Sequence, residues 1–447
     1  MEFSKNKVTH KREMQEDQPL SSGKTSSSSA QADMTLTHDP YQALRFRDFR
    51  LLLLGNFIAS LGSEMVTVAL GWELYERTSS ALVLGMVGLV QILPMIALSL
   101  FAGHIADRFN RKRILLIAQM LMVLCSLGLT WLSYTHGLLL FIYGCLFIMG
   151  AARAFKGPAS VALLAQTIPE EAYSNAATWD SSSWQMASVL GPALGGTIIA
   201  VLHGSTPVYA LNAGFALLFV LLLLPIRVGQ AKPQTTETTT LGALGEGLHF
   251  LWQTKIILAA ITLDLFAVLL GGAATLLPIF ARDILHVGPA GLGWLRAAPS
   301  IGAICVIFFL AHRPPFKKAG RALLWTVAGF GIATLIFGLS RSFWLSLLAL
   351  LLLGGLDSIS VVIRGTLLLT RTPDAMRGRI AAVDSLFTSA SNELGGFESG
   401  LIAQLFGPII SVVSGGIGTI LVVLLVALLL PELRRLGALN DSEKAGV

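Results

Sequence analysis

Eleven ionisable side chains interrupt the long apolar stretches of this 447-residue chain. They are Glu64, Arg153, Lys156, Asp180, Asp264, Arg296, Asp357, Arg364, Asp384, Glu393 and Glu398. A charge near the centre of a bilayer costs at least about 2.5 kcal/mol on insertion scales, so each needs a partner, a water-filled cavity or a function. Carboxylates there can carry protons and basic groups can bind anions, which makes these residues candidates for a polar pathway.

Four of these side chains lie deepest, about 15 residues into their apolar segments, or about 20 Å at the helical rise. They are Glu64, Arg153, Asp357 and Glu393. Helical spacing puts Glu393 on the opposite face from the other polar residues of its segment. A structural alternative is a set of ion pairs, such as Glu64 with Arg153, that lock helices together. Eleven charges confined to one set of helices favour a wet central cavity instead.

The histidines and cysteines exclude two other chemistries. All eight histidines lie outside the centres of the apolar segments, which removes the usual proton carrier at neutral pH. If protons take part, a carboxylate must carry them, and Glu64 and Asp357 are the first candidates. The three cysteines form no C-x-x-C pair, so we expect neither a metal site nor a cofactor.

The composition sets the class of protein. Apolar residues make up 54% of the chain and charged residues 13%, against about 25% charged in soluble domains. This excludes a soluble globular enzyme and indicates a polytopic membrane protein. The formal charge of +6 lies largely in short loops, so we expect it to set topology and expect no nucleic-acid partner.

Twelve apolar segments are long enough to cross a bilayer, since a spanning helix needs about 20 residues. Segments 1 to 12 are 49–74, 81–103, 113–134, 138–163, 174–202, 208–226, 255–284, 290–312, 320–339, 343–369, 377–406 and 409–431. An even number puts both termini on one side. Lys and Arg cluster before segment 1 and after segments 2, 8 and 10, which predicts that this side is the cytoplasm.

The polar stretches predict the domain organisation. Residues 1–40 are expected to be a disordered cytoplasmic tail, 227–254 a cytoplasmic linker and 432–447 a C-terminal cytoplasmic tail. The linker separates two bundles of six helices, 41–226 and 255–431. Residues 167–196 resemble residues 371–400 after a shift of 204 positions, which superposes Asp180 on Asp384. The predicted fold is therefore an all-α membrane protein with twelve transmembrane helices in two pseudo-symmetric bundles.

A motif after segment 2 carries the resemblance to a known family. Its residues are Gly103, Asp107, Arg108 and Arg111, in the pattern G-x-x-x-D-R-x-x-R. This resembles the signature between helices 2 and 3 of the major facilitator superfamily. The resemblance implies a conformational latch, in which Asp107 docks against the cytoplasmic end of segment 11 and the basic residues hold the outward-open state.

Two further motifs agree with that family. Arg153-x-x-x-Gly157 resembles its second motif, whose arginine faces the cavity in proton-coupled members. Gly191, Pro192, Gly195 and Gly196 resemble the antiporter motif, although Ala187 replaces its leading glycine. Glycine and proline also allow close packing and a bend, so these four residues form a predicted helix-bend motif. From segment 1 to segment 12 the chain resembles bacterial exporters of the enterobactin-exporter type.

The resemblance implies a secondary transporter of the inner membrane that exports an amphiphilic small molecule, siderophore-like or drug-like, by alternating access with proton antiport. The expected partners are this substrate, protons and the lipid bilayer, and the chain is expected to act as a monomer. The predicted pathway residues are Glu64, Arg153, Lys156, Asp180, Asp264, Asp357, Arg364 and Asp384. A lysophospholipid flippase or a uniporter is the alternative. A membrane sensor or enzyme is the non-transport alternative, but the chain has no H-E-x-x-H or G-x-S-x-G motif.

Overall fold

A computed structural model describes residues 39–227, 245, 249–252, 254–314, 316, 318–373 and 376–437. Within these ranges the side chains of residues 100, 103, 104, 106–108, 379, 382 and 435 lie outside the description. The expected tail 1–40, except its last two residues, and most of the expected linker 227–254 also lie outside the described residues. Every regular element within the described ranges is helical.

Twelve long helices follow one another in the described part of the chain. They are α1 (Arg47–Thr78), α2 (Ala81–Arg108), α3 (Arg111–Tyr134), α4 (Leu139–Thr167), α5 (Tyr173–Leu202), α6 (Thr206–Leu223), α7 (Lys255–Ile284), α8 (Gly288–Ala311), α9 (Ala319–Leu339), α10 (Phe343–Arg371), α11 (Arg377–Phe406) and α12 (Pro408–Leu429). The helix α7 is interrupted at Gly271 and Gly272 and ends in a π-helical segment, Phe280–Ile284. Eleven are apolar enough to count as membrane spans by composition, and α11 has the length but is more polar. The predicted all-α fold with twelve membrane helices is confirmed.

The connection between α2 and α3 is shorter than predicted. The helix α2 continues to Arg108, so only Phe109 and Asn110 separate it from α3, and most of the motif that starts at Gly103 is helical rather than a loop. The side chain of Asn110 accepts a hydrogen bond from the backbone amide of Arg113 at 3.3 Å. This N-cap fixes the start of α3 immediately after the motif.

The first part of the expected C-terminal tail is folded. A short helix, Pro431–Arg435, follows α12, and Leu433 and Leu436 are buried in a cluster with Leu323 of α9. Sequence reasoning missed this element because five residues give no helical period to recognise. Residues 438–447 lie outside the described residues.

The two bundles share a hydrophobic core at one face only. We call the face where α1 begins the tail face and the face where α1 ends the distal face. One cluster on the distal side joins Leu74 of α1, Leu84 of α2, Leu277 of α7 and Leu292 of α8. On the tail side the buried clusters of the described residues each belong to one bundle. The bundles are therefore packed together mainly at the distal face.

Small residues bring the helices of the two bundles into contact at this face. Gly196 of α5 packs against Pro289 and Gly293 of α8, and a Cβ at Gly196 would clash with the backbone there. Gly400 of α11 packs against α2 in the same way, where its Cβ would lie 2.8 Å from the Ala81 oxygen. Because only glycine fits at such distances, the sequence specifies this closure.

Candidate functional site

A cavity of about 370 Å³ lies between the two bundles, bounded on its distal side by the shared core. Helices α1, α2, α4 and α5 supply one wall and α7, α8 and α11 the other. Its polar lining is Ser60, Ser63, Glu64, Thr67, Gln91, Arg153, Trp184, Thr275, Arg296 and Glu393. The volume falls within the range of small-molecule sites, and the mixture of apolar walls and few polar groups is typical of them.

The N-terminal bundle contributes one acid and one base to the cavity. Arg153 of α4 donates a hydrogen bond to Oε1 of Gln91 at 2.8 Å, which orients the guanidinium. Gly150, one turn earlier on α4, lies so close to the Gln91 backbone that a Cβ would clash with it. Glu64 of α1 lines the same cavity, and no hydrogen bond or ion pair joins it to another described residue.

The C-terminal bundle also contributes one acid and one base. Arg296 of α8 donates a hydrogen bond to the Ala274 carbonyl at 3.2 Å. That carbonyl has no helical donor, because the residue four positions later is Pro278, which lacks an N–H group. Glu393 of α11 interacts electrostatically with both Arg153 and Arg296. The cavity therefore holds two carboxylates and two guanidinium groups, one of each from each bundle.

Glu393 was left out of the predicted pathway and is the main residue that sequence reasoning missed. Its carboxylate packs directly on Gly88 of α2, where a Cβ would clash with Oε2. Arg296, which was also left out of the predicted pathway, lines the cavity, as does Gln91. Gly400 could have signalled this orientation, because it lies seven positions after Glu393, on the same face of α11, and packs against α2 as Glu393 does.

The helix-bend motif positions the acid of the N-terminal bundle. Gly191 of α5 packs against the Glu64 Cβ and the Leu61 carbonyl, and Gly195 packs against Met65. The helix α5 is continuous through Pro192. This part of the motif holds α1 and α5 together beside the cavity, while Gly196 contacts α8.

Three predicted pathway residues of α4, α5 and α10 lie away from the cavity. Lys156 points to α6, where its ammonium group lies 5.8 Å from the centre of the Phe219 ring. Asp180 accepts a hydrogen bond from the Asn56 side chain, which also donates to Ser160 at 3.2 Å. Asp357 does not reach the shared cavity, because its face of α10 is turned toward α7 and α9. The expectation of a single chamber is wrong for these residues, and their roles in transport stay predictions.

The remaining three predicted residues form a buried ionic cluster inside the C-terminal bundle. Arg364 of α10 forms a salt bridge with Asp264 of α7, and its Nε lies 3.7 Å from Oδ1 of Asp384 on α11. Asp264 and Arg364 are 4% and 6% exposed, so the pair is shielded from water. These residues tie three helices together and do not line the cavity.

The corresponding region of the other bundle has a hydrogen-bonded network with one carboxylate and no basic group among its three residues. Ser160 and Asp180 lie 204 positions before Arg364 and Asp384, and Asn56 occupies the corresponding depth of α1. There the contacts are the hydrogen bonds of Asn56 with Ser160 and Asp180. Both bundles thus have polar contacts between these three helices, but the charges of the residues differ.

The distal face is closed by polar contacts as well as by glycines. Tyr75 of α1 donates a hydrogen bond to Asp283 at the end of α7, and Arg282 donates to the Tyr75 carbonyl at 3.2 Å. Ser80 donates to Oε1 of Gln404 at 2.9 Å, which joins the start of α2 to α11. Of the predicted latch, the side chains of Gly103, Asp107 and Arg108 lie outside the described residues, and Arg111 begins α3.

A helical membrane protein with a cavity between two related bundles, closed at one face, has the architecture of a secondary transporter. Comparisons with known proteins agree. The family model described as transmembrane secretion effector, within the major facilitator superfamily, matches residues 38–444, and the chain belongs to this family. It is a multi-pass membrane efflux transporter of a small-molecule substrate and not an enzyme.

Two relatives are similar over most of their length. The enterobactin exporter EntS of Citrobacter koseri is 28% identical over 87% of this chain and 92% of its own. The multidrug efflux pump Tap of Mycolicibacterium fortuitum is 25% identical over 86% of this chain and 96% of its own. Among solved structures, a bacterial homologue of the lysosomal transporter Spinster, described as inward-facing and occupied, has a TM-score of 0.67 at 13% identity and covers 89% of this chain and 99% of its own.

Proposed function

We propose that this protein exports an amphiphilic small molecule with an anionic group across the inner membrane, in exchange for protons, by alternating access. The observation that carries the proposal is the cavity between the bundles, where Arg153 and Arg296 can bind an anion and Trp184 offers an aromatic surface. Lys156 and Arg364, which the sequence also suggested for this task, lie outside the cavity.

The tail face is proposed to be cytoplasmic, because the Lys and Arg residues of the loops concentrate there. The conformation with a closed distal face then receives cargo from the cytoplasm. The transport unit is proposed to be the monomer, since one chain supplies both walls of the cavity. Opening of the distal contacts around Gly196 and Tyr75 would release cargo on the other side.

The proposed proton carriers are Glu64 in the cavity and Asp357 in the C-terminal bundle. Glu64 has no described partner, so a proton can reach and leave it without breaking an ion pair. The same feature supports a second candidate cargo, because an unpaired carboxylate beside Trp184 can bind an organic cation. The similarity to the multidrug pump favours keeping this candidate beside the siderophore-like one.

Everted membrane vesicles test the proposal. Respiration acidifies their lumen, and we expect added enterobactin or ethidium to be taken up while protons leave, which a pH-sensitive dye reports. Glu64→Gln should lose the cargo-dependent proton movement, whereas Lys156→Met, on the neighbouring face of α4, should retain it. Uptake that continues unchanged after an uncoupler is added would contradict proton antiport, and no uptake of either compound would contradict this substrate class.

A further inference from the structure

A second, much smaller polar crevice lies inside the C-terminal bundle, between α7, α9 and α10. Its volume is about 10 Å³, and its polar lining is Asp264, Thr326, Asp357 and Ser360, with apolar walls that include Phe330. A volume of roughly 10 to 15 Å³ is what one water-sized occupant needs. The crevice is separate from the cavity between the bundles, since the two share no lining residue.

Ser360 is the residue that indicates a ligand. Its side chain is 2% exposed, and its Oγ has no hydrogen-bond partner among the described residues. A buried hydroxyl without a hydrogen-bond partner is unfavourable, because it has lost its bonds to water. Ser358, two positions earlier on the same helix, donates instead to the Gly354 carbonyl at 3.0 Å, as buried helical serines usually do.

The charges around the crevice leave an excess of negative charge. Asp264 is paired with Arg364, and Arg364 also faces Asp384, so one guanidinium serves two carboxylates. Asp357 has no ion pair or hydrogen bond with a described residue. The only polar residue that α9 contributes to the described lining is Thr326, beside Val327 and Phe330, and α12 has no ionisable residue between 408 and 429. Because three carboxylates share one guanidinium at this depth, an added positive charge would be stabilised here.

The intramembrane charges of the two whole bundles also indicate an excess of negative charge on the side of the crevice. Of the charges predicted inside the membrane, those of the N-terminal bundle balance, with Glu64 and Asp180 against Arg153 and Lys156. The C-terminal bundle has five carboxylates and two guanidinium groups, namely Asp264, Asp357, Asp384, Glu393, Glu398, Arg296 and Arg364. The bundle that contains the crevice is therefore the one with more carboxylates than basic groups.

We propose that this crevice binds one monovalent cation, Na⁺ or hydronium, through the oxygens of Asp357, Asp264, Ser360 and Thr326. All four donors are hard oxygens, which suit such cations. The Thr326 hydroxyl donates its proton to the backbone of α9, at 2.8 Å from the Ala322 oxygen, so its lone pairs remain available to a cation. The inference rests on the proposed function only for hydronium, because Asp357 is one of its proposed proton carriers; in either case the cation binds apart from the cargo.

Binding of ²²Na⁺ to the purified full-length protein in nanodiscs, without cargo, tests the inference. We expect saturable binding of one ion at pH 8.5, weakening as the pH falls because protons compete for the same carboxylates. Asp357→Asn should abolish it and Ser360→Ala should weaken it about fivefold or more. The matched control Ser358→Ala, whose hydroxyl is bonded within the helix, should bind as the wild type does.

Infrared difference spectroscopy separates the two cations. If the site takes hydronium or a proton, Na⁺ will not bind, but a carboxyl band that titrates with pH will disappear in Asp357→Asn and shift in Ser360→Ala. Absence of both signals, or equal signals in Ser360→Ala and wild type, would overturn the inference even if Asp357→Asn failed to fold. If both signals are absent but cargo still drives proton movement in vesicles, this cation site is contradicted and the proposed function is not.

Discussion

Arg153 and Asp357 occupy equivalent positions in the two bundles, 204 residues apart, yet only Arg153 reaches the cavity between them. Arg153 points across the interface and is held by Gln91, whereas Asp357 points into its own bundle. The duplicated fold therefore presents different chemistry on each side. This asymmetry suits a transporter that handles a cargo in one place and an ion in another.

Replacing Arg153 by Gln should weaken the export of anionic cargo at least tenfold, which corresponds to about 1.4 kcal/mol of lost binding. The charge and the oriented donor disappear together, while the side chain remains polar. Concentration dependence of uptake into everted vesicles measures the change. Lys156→Met is the control, since its ammonium contacts Phe219, and it should stay within about twofold of wild type.

Gly196→Ala should shift the conformational equilibrium away from the distal-closed state. Its Cβ would collide with the backbone of α8, which cannot move aside as a side chain can. Spin labels can be placed at Thr135 and Arg341, on distal loops of the two bundles. The distribution of distances between them should gain a population at longer distance. Gly214→Ala on α6, where a Cβ meets nothing within 4 Å, should leave the distribution unchanged.

Tyr75→Phe should open the distal face to a smaller extent. It removes the hydrogen bond to Asp283 but retains the ring, and one such bond contributes about 1 kcal/mol, or roughly fivefold in a two-state equilibrium. The same pair of spin labels reports the shift. Tyr134→Phe, an exposed residue near the same face, serves as the control, and an equal effect in both variants would count against a gating role for Tyr75.

Arg364→Met should lower the free energy of unfolding by about 3 to 5 kcal/mol, because Asp264 and Asp384 then remain buried without their cation. Adding Asp264→Asn to this variant should recover part of the loss. Ser160→Ala, at the position equivalent to Arg364 in the other bundle, should cost about 1 kcal/mol. Unfolding midpoints in mild detergent compare the three variants, and equal losses for Arg364→Met and Ser160→Ala would contradict the difference between the bundles.

Much of the fold could be predicted from the sequence, because twelve apolar runs and a repeat shifted by 204 residues leave few alternatives. Helix ends were less predictable. The polar residues up to Arg108 were interpreted as a loop. In the structure α2 continues to Arg108, and the Asn110 N-cap starts α3 at Arg111. The short helix Pro431–Arg435 was missed because its two buried leucines lie outside any apolar run.

The candidate site could be predicted only in part. Helical spacing shows which residues share a face but not which way that face is turned, so it does not explain why Glu64 and Arg153 line the cavity and Lys156 and Asp357 do not. The rotation of each helix is set by its glycine contacts. The contact of Gly400 with α2, on the same face of α11 as Glu393, turns Glu393 into the cavity, although spacing had placed Glu393 opposite the other polar residues of its segment.

A reversible lock of the distal face tests whether the protein transports its cargo by alternating access through this cavity. Cysteines at Ser80 and Gln404, joined across the bundles by a short cleavable thiol reagent, would hold the face closed in a variant whose native Cys125, Cys145 and Cys305 are replaced by serine. We predict that cargo uptake into everted vesicles stops when the link forms and returns when it is cleaved. Uptake at the unlinked rate in fully linked protein would contradict alternating access through this cavity.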